Sequence, residues 1–164
     1  MNKKIIFSVL LVSVLAISIA SICAADLSQS QDFDGLFKMK VTDSDNFTIV
    51  GDPQSYSSLL NSRIAYANND SSVYVLVYDE NIQRAVEMMS EEELSIINSA
   101  SADNGVVKEG DLFIFNSTDG MSKEMDGNVT TFVGVDSNQD PALSVVVCGN
   151  DANLVKEYAK TIEF

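Results

Sequence analysis

Midway along the chain, "SVYVLVYD" places apolar or aromatic side chains at both alternating sets of positions from Val73 to Tyr78. Successive side chains of a strand point to opposite faces, so a segment apolar on both faces must be covered on both. This run therefore reads as a central strand, and the remaining chain has to supply two covering layers. "RIAYAN" precedes it across Asn69-Asp70-Ser71, which reads as a hairpin. "LFKMKV" sets Leu36, Lys38 and Lys40 against Phe37, Met39 and Val41, the alternation of a half-buried strand. "NFTIV" follows as a short strand.

Beyond Tyr78 the period changes. Ile82, Ala85, Val86 and Met89 recur at the spacing of one helix face. Ser90 with Glu93 forms a capping-box pattern ahead of Leu94, Ile97 and Ala100, so a helix restarts there or one helix continues through a kink. Glu91, Glu92 and Glu93 suit the positive end of a helix dipole. Strands resume at "VVKEG", "LFIFN", "NVTTFVGV" and "ALSVVV", the last ended by Gly149 and Asn150. Asp151 is a good N-cap for a final helix with the apolar stripe Leu154, Val155, Tyr158, Ala159 and Ile162. "TIEF" closes the chain as a short edge strand. The order predicts an α+β domain: a mainly antiparallel sheet of about 6–8 strands, a mid-chain helical segment and a C-terminal helix packed on it. The helices are expected to cover both sheet faces.

The N-terminus has the layout of a secretory signal peptide. Lys3 and Lys4 precede an uncharged stretch from Ile5 to Ile22, and small residues surround a cut after Ala24 or Ala25. An uncleaved anchor is the alternative, since 18 uncharged residues can just span a bilayer. Lipidation of Cys23 is a third, which the bulky Ile22 before it disfavours. All three put the remaining chain outside the cytoplasm, secreted or at the cell surface. The expected division is 1–25 signal or anchor, 26–34 a short polar lead-in, and 35–164 a single domain. Cleavage after Ala25 would remove two lysines and no acid, leaving 139 residues with 8 basic and 24 acidic side chains, a net charge of −16. That field repels nucleic acid and anionic headgroups and draws divalent cations only weakly.

Catalytic motifs are scarce. The chain has no histidine, so Ser-His-Asp triads, Cys-His dyads and His-based metal sites are excluded. Neither GxSxG, GxGxxG nor GxxxxGK[ST] occurs. Cys148 would be the single cysteine after cleavage, ruling out an internal disulfide, and it reads as a small buried hydrophobe. With 24 acids in the chain, carboxylate pairs are uninformative, and acids near Lys108 or Lys123 read as surface ion pairs.

Asp136, Asn138 and Asp140 match the first, third and fifth positions of a calcium loop. The glycine such a loop needs next is Pro141, and the closing acid is Val147. A hairpin loop is therefore expected, with these three as weak calcium candidates only. The Asp-Gly pairs at 119–120 and 126–127 are turn formers whose acids would bind calcium only if the loops meet. Met125 and Met121 are expected to fold back on the sheet rather than stand exposed. Asn46, Asn69, Asn116 and Asn128 begin Asn-x-Ser/Thr sequons at strand ends or in loops, as expected of a glycoprotein if the chain is exported.

"SVVVCGNDANLVKEYAKTIEF", a strand, a capped helix and a final apolar strand, resembles the end of the Mog1/PsbP-like fold. The resemblance covers roughly residues 33–164 and implies a central antiparallel sheet flanked by helices. The "DFDGLFKMKV" opening after a signal peptide is also similar to small secreted archaeal proteins of unknown function. Neither resemblance implies a catalytic motif, a cofactor or a site residue. The expectation is a non-catalytic module that binds a protein or another component of the cell envelope. An acidic-residue enzyme acting on extracellular glycan, and a calcium-dependent adhesion or envelope component, are the alternatives.

Overall fold

The structure, a computed structural model, describes residues 26–50, 62–82, 84, 106–116, 125 and 129–164. The expectations for the signal segment with Cys23, for Ser90 to Glu93, for Met121, for both Asp-Gly pairs and for Asn128 lie outside the described residues.

Nine strands are described: β1 (Gln29–Phe33), β2 (Phe37–Val41), β3 (Thr48–Val50), β4 (Ile64–Ala67), β5 (Val73–Tyr78), β6 (Val107–Glu109), β7 (Leu112–Asn116), β8 (Thr131–Asp136) and β9 (Ser144–Gly149). One C-terminal helix, α1 (Ala152–Ala159), follows. Seven strands form one sheet in the order β3-β4-β5-β9-β8-β7-β6. Every pairing in it is antiparallel. Two meanders, β3-β4-β5 and β6-β7-β8-β9, thus meet where β5 pairs β9, with Val75 opposite Val147. The architecture is a mainly antiparallel α+β domain.

β5 is central and covered on both faces, as its composition requires. Val73, Val75 and Val77 face a core shared with Val133, Val145 and Val147. Tyr74 and Leu76 face a second core with Phe132, Val146 and Cys148. Val75, Val77, Val133, Val145 and Val147 are all fully buried. Each such side chain contributes about 1.5–3 kcal/mol relative to exposure.

The first core is closed by α1 and by the β1–β2 hairpin. Asp151 caps α1 by accepting the Asn153 and Leu154 N–H groups at 3.0 and 3.1 Å. This satisfies donors that a helix start leaves orphaned. Val155, Tyr158 and Ala159 then face the sheet. In β2, Phe37, Met39 and Val41 are buried and Lys38 and Lys40 exposed, as the alternation predicts. The chain end joins β2 through an isolated bridge in which Lys38 and Glu163 exchange N–H···O bonds of 2.8 and 2.9 Å.

Residues 26–34 are not merely a lead-in. Within them β1 pairs β2 along its length, from Gln29 opposite Val41 to Phe33 opposite Phe37, in a separate two-stranded sheet. The turn places Asp34 at φ 55° and Gly35 at φ 72°. Positive φ at both central residues matches the twist of flanking strands and favours Asp-Gly. β1 looks polar because it is mostly exposed and only Phe33 is buried.

On the second face the described cover is Met125, Val129 and the partly buried Ile82. Ile82 and Arg84 are helical, and Asn81 Oδ1 accepts the Arg84 N–H at 3.2 Å. The rest of the predicted mid-chain helix lies outside the described residues. A Cβ on Gly134 would run into Ile82 Cδ1, so the glycine makes the seat for that side chain.

Candidate functional site

β8 and β9 run antiparallel, so the residues between them must reverse the chain at one end of the sheet. Asp136 still pairs with Ser144. Ser137 closes the loop: its N–H donates to Leu143 O at 2.7 Å, and its Oγ accepts the Leu143 N–H at 3.0 Å. Asn138, Gln139 and Asp140 then stand exposed at the tip. The stretch is thus the hairpin loop expected, with a cis Asp140–Pro141 bond.

The three calcium candidates take different roles. Asp136 Oδ1 accepts the Ile82 N–H at 2.7 Å, tying the start of the helical segment to the end of β8. Its carboxylate therefore anchors two elements, while Asn138 and Asp140 remain on the loop. Among the described residues, no three acidic or cysteine side chains gather within reach of one ion.

Around this loop lies a cavity of about 420 Å³. The loop contributes Asp136, Asn138 and Gln139. The β6–β7 hairpin contributes Lys108, Asp111 and Phe113. Phe164 from the chain end and Asn81 also line it. Lys108 Nζ stands 4.9 Å from the centre of the Phe113 ring, a cation–π distance. Gly110, at φ 62°, turns the hairpin between Lys108 and Asp111. Sequence reasoning proposed Asp136 and Asn138 but missed Lys108, Asp111, Phe113, Gln139 and Phe164. They come from three distant segments, and no spacing within one segment reports that the β6–β7 turn and the C-terminus meet the 136–140 loop.

The sequons fare individually. Asn46 is exposed just before the edge strand β3. Asn69 is exposed in the β4–β5 turn, and its Nδ2 donates to Ser44 O at 2.8 Å. Asn116 ends β7 opposite Thr131.

Two tyrosine–aspartate pairs fasten the first core and were invisible in the sequence. Tyr158 on α1 and Thr42 both donate hydroxyls to Asp45 Oδ2, the latter at 2.8 Å. Asn68 Nδ2 donates to Asp45 Oδ1 at 3.3 Å. Tyr66 on β4 donates to Asp34 Oδ2 in the β1–β2 turn at 2.6 Å. Burial, then the adjoining carboxylate, pushes both phenols well above the ordinary tyrosine value. These hydrogen bonds join loop to core and read as structural.

Cys148 is fully buried, as expected, with its thiol 3.8 Å from the Met125 sulfur. Burial raises that thiol far from the reactive range. Met125 is itself buried against the sheet, which fits the expectation that it folds back. No described helix is long and apolar enough to cross a membrane. No protein-family model, curated protein or solved structure matches the chain.

Proposed function

We propose that the chain is an exported, non-catalytic interaction domain that works at the cell surface. The observation that carries this reading is the filling of both sheet faces by the protein's own apolar side chains. Among the described residues the side chains facing the sheet pack on one another, which favours recognition at its rims. Those rims carry apolar side chains in solvent: Ile49 on β3 is 42% exposed and Val107 on β6 is 43% exposed. β3 and β6 are the end strands of the sheet among the described residues, and a sheet edge is a place where a partner strand can add. The signal-peptide layout of residues 1–25 supports export, and the acidic composition suits a soluble exterior domain. The antiparallel sheet, with a capped helix running into a terminal bridge, is compatible with the Mog1/PsbP-like resemblance.

Fractionation of the producing cells tests this. The protein should occur in the medium or the envelope fraction, with its N-terminus at Ala25 or Asp26, or at Met1 if the segment is kept as an anchor. A cytosolic protein beginning at Met1 would refute export.

A further inference from the structure

We infer that the cavity at the β8–β9 loop is a binding site for a neutral saccharide. The inference rests on the interaction-domain reading above and names its ligand class. About 420 Å³ falls within the roughly 300–1,000 Å³ of small-molecule sites, room for a mono- or disaccharide. The chemistry of the wall narrows the choice. Asn138 and Gln139 each offer a side-chain donor and acceptor, which suits hydroxyl groups that are both donor and acceptor. Asp111 accepts from hydroxyls and Lys108 donates to them. Phe164, half-buried at the chain end, contributes apolar ring surface for the C–H face of a sugar, while Phe113 is buried beneath Lys108 and backs the wall.

Other ligand classes fit less well. The overall charge of −14, with Asp111 and Asp136 in the wall, repels an anion. A small cation would meet Lys108, and the Asp136 carboxylate already holds the Ile82 N–H. An apolar ligand would make no use of the two amides, Asp111 and Lys108 in the wall. A neutral polyol satisfies donors, acceptors and the exposed ring together. Asn138 and Gln139 are exposed on a loop whose geometry is set by Ser137 and Leu143. They can therefore be replaced without disturbing the sheet.

The test is a heteronuclear NMR titration of the isotopically labelled protein with glucose, N-acetylglucosamine and maltose, with 1,4-diaminobutane as a cationic comparison. At least one sugar should give saturable shifts at residues 108–113 and 136–139, including the side-chain amides of Asn138 and Gln139. Raising sodium chloride should leave that affinity within about twofold, since a neutral ligand is not screened. The double variant N138A/Q139A, with unchanged melting temperature, should bind about tenfold or more weakly, as expected for lost hydrogen bonds. Absence of shifts at these residues with all three sugars overturns the inference, as do shifts confined to another surface or caused by the diamine alone. Either failure leaves the interaction-domain reading standing if the protein still binds isolated envelope. Cleavage of maltose would instead support the ligand class and overturn the non-catalytic reading.

Discussion

The Asp45 network makes a prediction whose size follows from who else each donor can reach. Replacing Asp45 by alanine removes the acceptor for Tyr158, Thr42 and Asn68. Thr42 keeps its contact with Ser44 Oγ at 3.0 Å, and Asn68 keeps Ser72 Oγ at 3.1 Å. Tyr158 is fully buried and loses the carboxylate its hydroxyl donates to, keeping only the hydrogen bonds it receives from Thr42. An orphaned buried donor costs about 1–3 kcal/mol, and loss of a charged acceptor adds to it, so D45A should destabilise by about 2–4 kcal/mol. Y158F removes the donor and leaves Asp45 with its other two partners, for about 1–2 kcal/mol. The double variant no longer has an orphan, so it should be no less stable than D45A alone. The cycle should therefore show a coupling of about 1–2 kcal/mol. Urea unfolding followed by far-UV circular dichroism measures all four proteins; the chain has no tryptophan, and one tyrosine changes. Effects that add to within about 0.5 kcal/mol would show that Tyr158 and Asp45 do not act as a unit and would refute the reasoning.

Alkaline pH should unfold the protein through Tyr66 and Tyr158. Both phenols are raised by burial in the folded state, so their stabilisation is complete below the ordinary value of about 10 and is lost as pH rises through the folded values. Each should add at most about 1.4 kcal/mol of lost stability per pH unit above about 10, and Y66F should flatten that slope in pH-dependent urea melts. G149A should destabilise by about 1–3 kcal/mol in the same melts, because the added Cβ would meet Ser72 O at 2.9 Å and Val155 Cγ2 at 3.1 Å. Cys148 should resist iodoacetamide in the native protein and react in urea, read by intact mass; rapid native alkylation would contradict its burial.

Much of the sheet was legible because burial writes itself into composition. The two-sided run at Val73–Tyr78 and the alternation at Phe37–Val41 can be satisfied only one way each. The Asp151 cap was legible because helix starts demand an acceptor of that type. β1 was not: "QSQDF" has no apolar alternation, and pairing with β2 rather than burial makes it a strand. The one local sign was Asp34-Gly35, a pair favoured where both turn residues take positive φ. The cavity was less legible still. The 136–140 stretch announced a loop, but the rest of the lining comes from Lys108 to Phe113 and from Phe164, brought there by sheet order and by the Lys38–Glu163 bridge. Contacts of that range leave no periodic trace in a single sequence.

The most direct test of an exported interaction domain is a binding isotherm. The protein, purified from the cells that make it, is titrated onto their isolated envelope, and the supernatant is followed for released saccharide. Saturable, reversible binding with no product accumulating over time is the result predicted. Absence of saturable binding, or steady release of saccharide in proportion to the protein added, would contradict it.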